Sequence, residues 1–337
     1  MPKTIKNQFD KYLTYENLMR AHIESRKNKS YKEEIILFNL KQEEYIKWLL
    51  EELRKGTYKH GGYKVFYVHI PKERKIEASR YIDRVVHRWV ADSFLKPYFE
   101  TQFIETSYAC IKNRGMHKAT LDVQKAMRHY KNIWNEYYII KMDVRKYFQN
   151  IDKDILINIL KRKVKDKKLM RLIEEIVYSN KGKKGIPIGN YTSQIFANIY
   201  LNEIDQYIKH KLKCKYYFRY MDDSIILLKT KDEAKRILEE VKKFLKEKLD
   251  LELNNKTQIL KSKQGINFCG YKINEYRLKI RDRGKKSLKK KIKKMERQVL
   301  LGEISTKDAY KKICGHIGYI KIANVKNLTN KLFFTGN

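Results

Sequence analysis

The sequence predicts an α+β fold, with a small antiparallel sheet and long helices around it. Two runs read as strands. Tyr138-Ile139-Ile140-Lys141-Met142-Asp143-Val144 is one, and Tyr217 to Leu228 is an apolar hairpin interrupted by Met221-Asp222-Asp223. Most of the remaining chain carries apolar residues at steps of three and four, the helical period. At 337 residues the chain is long enough to bury a substantial core.

The elements follow in order. Residues 15–54 read as helical, with Leu18, Ala21 and His22 on one face and Tyr45, Ile46, Leu49, Leu50 and Leu53 on a stronger one. Gly56 suits the position after that helix. Gly61-Gly62 opens a hairpin through Tyr63, Val65, Tyr67 and Val68, with basic residues near its turn. Ser79 to Tyr98 places Ile82, Val85, Val86, Trp89, Val90 and Phe94 on an apolar face, with Asp83-Arg84 within it as an internal ion pair. A loop, 107–115, precedes a helix over 117–132. After the Asp143 strand, 155–178 reads as one helix with a basic side, starting from Asp152. Lys181 to Gly189 is a glycine-rich loop, and Thr192-Ser193 caps the next helix. A helix over 231–248, a strand-like Leu251 to Asn254 and a turn at 255–257 follow. Arg281 to Arg297 holds ten basic residues and two acids, yet Leu288, Ile292, Met295 and Val299 recur at helical steps, so it is an amphipathic helix. Residues 306–334 add one or two helices. The predicted divisions are a helical extension (1–60), a central α+β region (61–280) and a basic helical region (281–337).

The acids carry the chemical argument. Two adjacent carboxylates inside an apolar hairpin lose water when buried, and a cation that accepts their oxygens removes most of that cost. If the 138–144 strand neighbours the hairpin, Asp143 joins Asp222 and Asp223. Three carboxylates at strand ends make an oxygen-ligand site for Mg²⁺. Two such ions, about 4 Å apart, can clamp the attacking and leaving oxygens of a phosphoryl displacement. The bland alternative, a turn acid pair capped by main-chain amides, is common in proteins.

Tyr220-Met221-Asp222-Asp223 between apolar runs, with Asp143 upstream, resembles the palm of a reverse transcriptase. Gly185-Ile186-Pro187-Ile188-Gly189-Asn190-Tyr191-Thr192-Ser193-Gln194 resembles the loop and helix between that family's acidic motifs. The resemblance spans roughly residues 15–330 and implies a right-hand polymerase, with fingers and palm in 61–280 and a thumb in 281–337. It implies two Mg²⁺ ions on Asp143, Asp222, Asp223 and the carbonyl of Val144, and Lys256 as the acid that protonates pyrophosphate. Lys72 and Arg74 would contact the nucleotide's phosphates, and Phe148 would exclude a 2′-hydroxyl. Ile188, Gly189 and Gln194 would line the nascent pair. Arg114 would lie near the template, Gly270 and Tyr271 would form a primer grip, and Lys289 and Lys293 would follow a phosphate backbone. Most reverse transcriptases have Gln before the loop's glycine and Ser-Pro after it. Ile188 and Ser193-Gln194 depart from that, and resemble the enzymes of diversity-generating retroelements. That likeness implies a template repeat RNA, errors opposite adenine and a pentameric accessory variability determinant protein. Retron, group II intron and phage-defence reverse transcriptases are the alternatives. The short C-terminus argues against an intron maturase and predicts no attached nuclease domain.

Composition agrees with a nucleic-acid partner. Lys and Arg outnumber Asp and Glu by 76 to 39, giving a formal charge of +37. So large an excess repels itself unless a polyanion is near. A non-catalytic RNA-binding protein would share this charge and the 25 tyrosines, but would not require the three acids. Cys110, Cys214, Cys269 and Cys314 lack metal-ligand spacing and read as reduced thiols of a cytoplasmic protein. No apolar run approaches the ~18 residues of a membrane span.

Overall fold

The computed structural model describes residues 4–69 and 73–323. In chain order the elements are α1 (Phe9–Tyr12), α2 (Tyr15–Arg26), α3 (Glu33–Leu40), α4 (Gln42–Lys55), β1 (Tyr63–Val68), β2 (Arg74–Ser79), α5 (Tyr81–Val90), α6 (Lys96–Phe99), α7 (Met116–Trp134) and β3 (Tyr138–Asp143). Then come α8 (Tyr147–Asn150), α9 (Lys153–Lys163), α10 (Lys167–Tyr178), α11 (Tyr191–Gln206), β4 (Tyr217–Tyr220), β5 (Asp223–Leu228), α12 (Lys231–Leu249), β6 (Gln258–Lys261), β7 (Ile266–Phe268), β8 (Tyr271–Ile273), β9 (Leu278–Ile280), α13 (Asp282–Leu300) and α14 (Thr306–Lys321). Among the described residues every pairing between these strands is antiparallel, and the strands sit in small sheets ordered β1-β2, β4-β5-β3-β6 and β7-β8-β9. The α+β expectation therefore holds. No helix among the described residues is long and apolar enough to cross a membrane.

The chain divides into two compact units. The first takes residues up to Glu105, Val144–Tyr207 and Val241–Leu253. Here α2 and α3 pack on α5. Thr14 caps α2 by accepting from Asn17 N–H at 3.2 Å. Gly56 closes α4 at φ +73°, as the Lys55-Gly56-Thr57 signal predicts. Phe9, Trp89 and Phe94 form an aromatic core, and the Trp89 indole donates to Tyr12 O at 3.0 Å.

Four sequence expectations change in this unit. The single helix over 155–178 is two. The Asp166 carboxylate accepts from Leu169 N–H at 3.1 Å to start α10, and from Gln8 and Phe9 N–H at 2.8 Å. A side chain that satisfies so many free amides favours a cap over a helix interior. The 79–98 helix contains a π-helical stretch, Ala91–Leu95, before α6. Asp83 and Arg84 do not pair, because neighbours in a helix face different ways. Arg84 instead bonds Glu34 at 2.7 Å. Leu251 to Asn254 is not a strand: Leu253 makes one isolated bridge to Val144, and the ladder resumes at β6.

The second unit takes Thr106–Asp143, Ile208–Glu240 and the chain from Asn254 onward. One core joins its parts. Ala119, Val123, Ala126 and Met127 of α7 meet Ile139 of β3, Ile225 and Leu227 of β5, Phe268, Tyr271 and Leu278 of the three-stranded sheet, and Leu288, Ile292 and Met295 of α13. The 281–297 amphipathic reading holds, because those three residues are buried while Lys289 and Lys293 are exposed. Residues 324–334 of the last expected helix lie outside the described residues.

Cys269-Gly270 joins β7 to β8 with both residues at positive φ, +48° and +87°. That is the turn geometry whose twist matches a hairpin. A methyl group on Gly270 would lie 2.6 Å from Tyr319 Oη, which donates to Gly270 O at 2.7 Å. Gly270→Ala should therefore lower stability by about 2–4 kcal/mol, from a strained φ plus a clash. Urea unfolding of Gly270→Ala, Tyr319→Phe and the double variant checks this. The two changes should be non-additive, because removing the hydroxyl relieves the clash.

Candidate active site

The second unit brings the three sequence-selected acids to one place. The β3–β5 register sets Asp143 directly opposite Asp223, and β4 sets Tyr220 opposite Asp223. Met221-Asp222 is therefore a two-residue hairpin turn. Met221 takes φ +56°, which costs a residue with a Cβ roughly 1–2 kcal/mol. Arg219, 1% exposed, holds the turn by donating to Met221 O at 3.0 Å. Asn254 holds the other acid. Its N–H donates to Asp143 O at 2.7 Å and its side-chain amide to Asp143 Oδ2 at 3.3 Å.

A lysine that the sequence reading passed over lies among these acids. Strand alternation puts Lys141 on the face of Asp143. Its ammonium forms an ion pair with Asp223 Oδ1 and lies 5.6 Å from the Phe268 ring centroid. Burial pushes the Lys141 ammonium down to about 8, while Asp143, Cys269 and Asp222 draw it up and Arg281 opposes them. Asp223 Oδ1 is buried and has no aligned hydrogen-bond donor, so its contact with Lys141 is ionic. The signal in the sequence was a charged residue two positions before a strand-end acid in an otherwise apolar strand.

These donors fit a hard cation. Asp143 and Asp223 present carboxylate oxygens across one ladder position, and a cationic group already lies against one of them. Among the described residues no group of three His, Cys, Asp or Glu side chains is gathered as a metal site. One Asp223 oxygen is already taken by Lys141.

Other expected site residues of this unit are placed as follows. Tyr271 is fully buried and donates to Tyr319 O at 2.7 Å, so its side chain packs the hairpin rather than facing a strand of nucleic acid. Tyr319 takes the space beside Gly270. Arg114 donates to Ser107 O at 2.8 Å within its own loop. Lys256 is exposed, and its N–H bonds the Asn254 side chain at 3.1 Å.

The first unit gathers a second set. Ile186 N–H donates to Phe148 O at 2.9 Å, and Glu77 N–H donates to Ile188 O at 3.3 Å. Gly189, at φ +125°, lies where a methyl group would meet Ile76 at 3.3 Å. Thus the α8 turn, the 185–190 loop and β2 are neighbours. Phe148 and Ile188 are partly exposed, and Gln194 is exposed on the first turn of α11. Thr192 and Ser193 do not cap that helix. Asn190 precedes it without a side-chain cap bond, because its amide is engaged by Ser79 Oγ and Tyr63 Oη, and Thr192 Oγ1 pairs with His87 Nδ1 at 2.6 Å. Lys153, fully buried, donates to Asn180 O at 2.6 Å and Gly182 O at 2.8 Å and so holds the start of the loop. Val144 is buried, and Arg74 is exposed at the start of β2. Lys72 lies outside the described residues.

Residues 69–273 match the family described as reverse transcriptase (RNA-dependent DNA polymerase). The chain is 25% identical over 308 residues to the group II intron-encoded protein LtrA of Lactococcus lactis subsp. cremoris, covering 68% of this chain and 50% of that protein. It is 28% identical over 232 residues to the retron Ec73 reverse transcriptase of Escherichia coli, covering 64% and 69%. The match to the putative COX1/OXI3 intron 2 protein of Saccharomyces cerevisiae is 27% identical and covers 40% of this chain and 24% of that one. The chain thus spans half or less of the intron-encoded relatives. Telomerase from Candida tropicalis in complex with the TWJ fragment of telomeric RNA superposes with a TM-score of 0.52 at 13% identity, covering 81% of this chain and 55% of that one. The shared fold is the right-hand polymerase class.

Replacing Lys141 by Met should leave Asp223 Oδ1 without its counter-charge. Partial exposure of the pair limits the expected loss to about 1–3 kcal/mol. Thermal unfolding with and without millimolar Mg²⁺ checks it. The divalent ion should raise the variant's melting temperature more than the wild type's.

Proposed function

Because the chain belongs to the reverse transcriptase (RNA-dependent DNA polymerase) family, we propose that it is an RNA-directed DNA polymerase that extends a primer on an RNA template with dNTPs. The observation that carries this reading is the pairing of Asp143 with Asp223 beside the Asp222 turn. Asp143, Asp222 and Asp223 are the proposed holders of two Mg²⁺ ions, with the Val144 carbonyl as a further ligand. When bound, such ions lower the cost of the charge that develops on the oxygens of a transferring phosphoryl group. The primer's 3′-hydroxyl displaces pyrophosphate from the α-phosphate, so catalysis rests on positioning and charge neutralisation. Arg219 and Asn254 orient the acids by holding the Met221 carbonyl and the Asp143 carboxylate. Phe148 excludes a 2′-hydroxyl. Lys72 and Arg74 hold phosphates, and Lys256 donates a proton to the leaving group. Arg114, the main chain of the β7–β8 hairpin at Gly270, Lys289 and Lys293 hold template and primer. In this reading 1–60 is a helical extension, 61–280 fingers and palm, and 281–337 thumb.

The finer reading is a diversity-generating retroelement enzyme. It is supported by Ile188, which lacks the amide that would check the nascent pair, and by Ser193-Gln194 after the loop. On this reading the template is a repeat RNA, the cDNA carries errors opposite adenine, and a pentameric accessory protein joins the complex. A retron-like enzyme is the second reading, favoured by the match to the retron Ec73 protein.

The test is primer extension on an adenine-containing RNA template with Mg²⁺ and four dNTPs, followed by product sequencing. Wild-type protein should make DNA, and Asp222→Asn/Asp223→Asn should lose at least about 10³-fold in rate. Errors concentrated opposite adenine, and reduced by Ile188→Gln, support the retroelement reading. Accurate cDNA rejects it in favour of another bacterial reverse transcriptase. RNA binding without Mg²⁺-dependent synthesis, even with cognate RNA added, rejects the polymerase.

Phe148→Ala should raise rGTP incorporation relative to dGTP by about 10–100-fold, because removing the ring opens space for one hydroxyl. Single-nucleotide incorporation on a C template measures it.

A further inference from the structure

The first unit contains a buried polar chain that the proposed chemistry does not use. It begins at Asp83, 1% exposed, whose carboxylate accepts from Tyr58 Oη at 2.7 Å and from Gly61 N–H at 3.2 Å. His60 lies beside it, with Nδ1 4.0 Å from Asp83 Oδ2 and a side chain only 1% exposed. Gly62 N–H donates to His60 Nδ1 at 3.0 Å. That nitrogen is therefore a bare acceptor, and the proton of a neutral ring sits on Nε2. His60 Nε2 faces His87 Nε2 at 3.2 Å, so His87 accepts there and carries its own proton on Nδ1. His87 Nδ1 then donates to Thr192 Oγ1 at 2.6 Å. Every bond has one direction, from Gly62 through His60 and His87 to Thr192.

A parallel set of bonds ends two residues earlier. Tyr63 stacks on His60 with ring centroids 4.7 Å apart, and its hydroxyl accepts from the Asn190 amide at 3.3 Å. Asn190 Oδ1 accepts from Ser79 Oγ at 2.9 Å. Asn190 and Thr192 are both buried, and they follow Ile188-Gly189 directly. The base of the β1–β2 hairpin and helix α5 thus hold the loop and the first turn of α11 through these side chains, in addition to the Glu77 N–H bond to Ile188 O.

We propose that His60 and His87 are positioning residues, whose one-directional chain to Thr192 fixes the 186–192 segment in the shape that receives the incoming nucleotide. The nucleotide role rests on the polymerase reading; the chain itself rests only on the geometry. Only neutral histidines fit it. A protonated His60 would turn a second N–H against Gly62, and a protonated His87 would turn one against His60. Burial holds His60 below its ordinary value and drives His87 down to about 3. Asp83 and Glu175 face His60 and favour its charge, while Arg80 opposes it. His60 is the charge neighbour that lowers His87 further. Both folded values are depressed, so the unfolded chain takes up protons first as pH falls below about 6.5. The chain's contribution to stability is therefore complete above that pH and shrinks below it.

The experiment uses the full-length chain with His87→Leu, His87→Gln and Thr192→Val. Two readouts are taken: hydrogen exchange of the 186–192 amides at pH 7.5, and dNTP KM in primer extension. His87→Leu and Thr192→Val should each speed exchange about tenfold and raise KM about fivefold, with kcat and RNA affinity within about twofold. His87→Gln should restore both values, because its amide oxygen accepts from His60 and its NH₂ donates to Thr192. Thr192→Val removes one hydroxyl at constant shape, so it decides the matter if His87→Leu fails to fold. Equal exchange in wild type and Thr192→Val, or a Gln variant no better than Leu, overturns the chain. Faster exchange with unchanged KM overturns the nucleotide role and leaves a structural one. Wild type that extends no primer overturns the polymerase reading, while exchange still decides the chain.

Discussion

The antiparallel pairing of β3 with β5 is the constraint on which the candidate site depends. Side chains alternate faces along a strand, so a slip of one residue would turn Asp143 away and set Met142 against Asp223. The apolar partners prevent that slip. Ile139 opposite Leu227 and Lys141 opposite Ile225 lie on the face that meets the core, and Ile139, Ile225 and Leu227 are at most 1% exposed. The sheet's register is thus set by burial at one end and expressed as acid placement at the other. The two clamps, Arg219 on Met221 O and Asn254 on Asp143, act at the last paired position of the ladder and the turn beyond it.

Electrostatics explains why a lysine sits there. Converging carboxylates repel one another in a partly dehydrated place, and each would lose stability without a counter-charge. In a chain with formal charge +37 a cation is never far, but surface lysines are screened and mobile. Lys141 is different because its strand fixes it, with its side chain only 16% exposed. It neutralises the cluster at the cost of its own hydration, which is why burial lowers its proton affinity. A divalent ion would supply the same neutralisation more strongly. Lys141 is thus the counter-charge that the fold itself supplies to Asp223.

The parts of this arrangement that were readable in the sequence share a cause. Asp143, Asp222 and Asp223 stood out because acids in apolar strands violate the local pattern, and such violations mark sites. The amphipathic α13 was readable because its period survives ten basic residues within 281–297. What was missed depends on partners distant in sequence. Arg219 and Lys141 looked like ordinary charges in strands, and only the fold shows which carbonyl or carboxylate each meets. Asp166, Thr192 and the Asp83-Arg84 pair went astray for a related reason. A side chain that can cap locally can also be claimed by a distant group, as Thr192 is by His87 across 105 positions. Strands β6 and β9 are four and three residues long, too short for a period to show.

The loop before α11 takes its shape from its main chain and from distant partners. Its course is set by groups that offer a nucleotide nothing: the Ile188 carbonyl is taken by Glu77 N–H, the Ile186 amide by Phe148 O, and Asn190 and Thr192 by buried polar partners. The Ile188 side chain takes no part in that scaffold and is partly exposed. Position 188 can therefore change from a hydrogen-bonding amide to an aliphatic group without moving the backbone around it. A loop whose shape was held by its own side chain at 188 could not make that exchange without losing order. In the proposed reading, Ile188→Gln therefore probes chemistry at constant backbone, because the bonds that shape the loop do not run through that side chain.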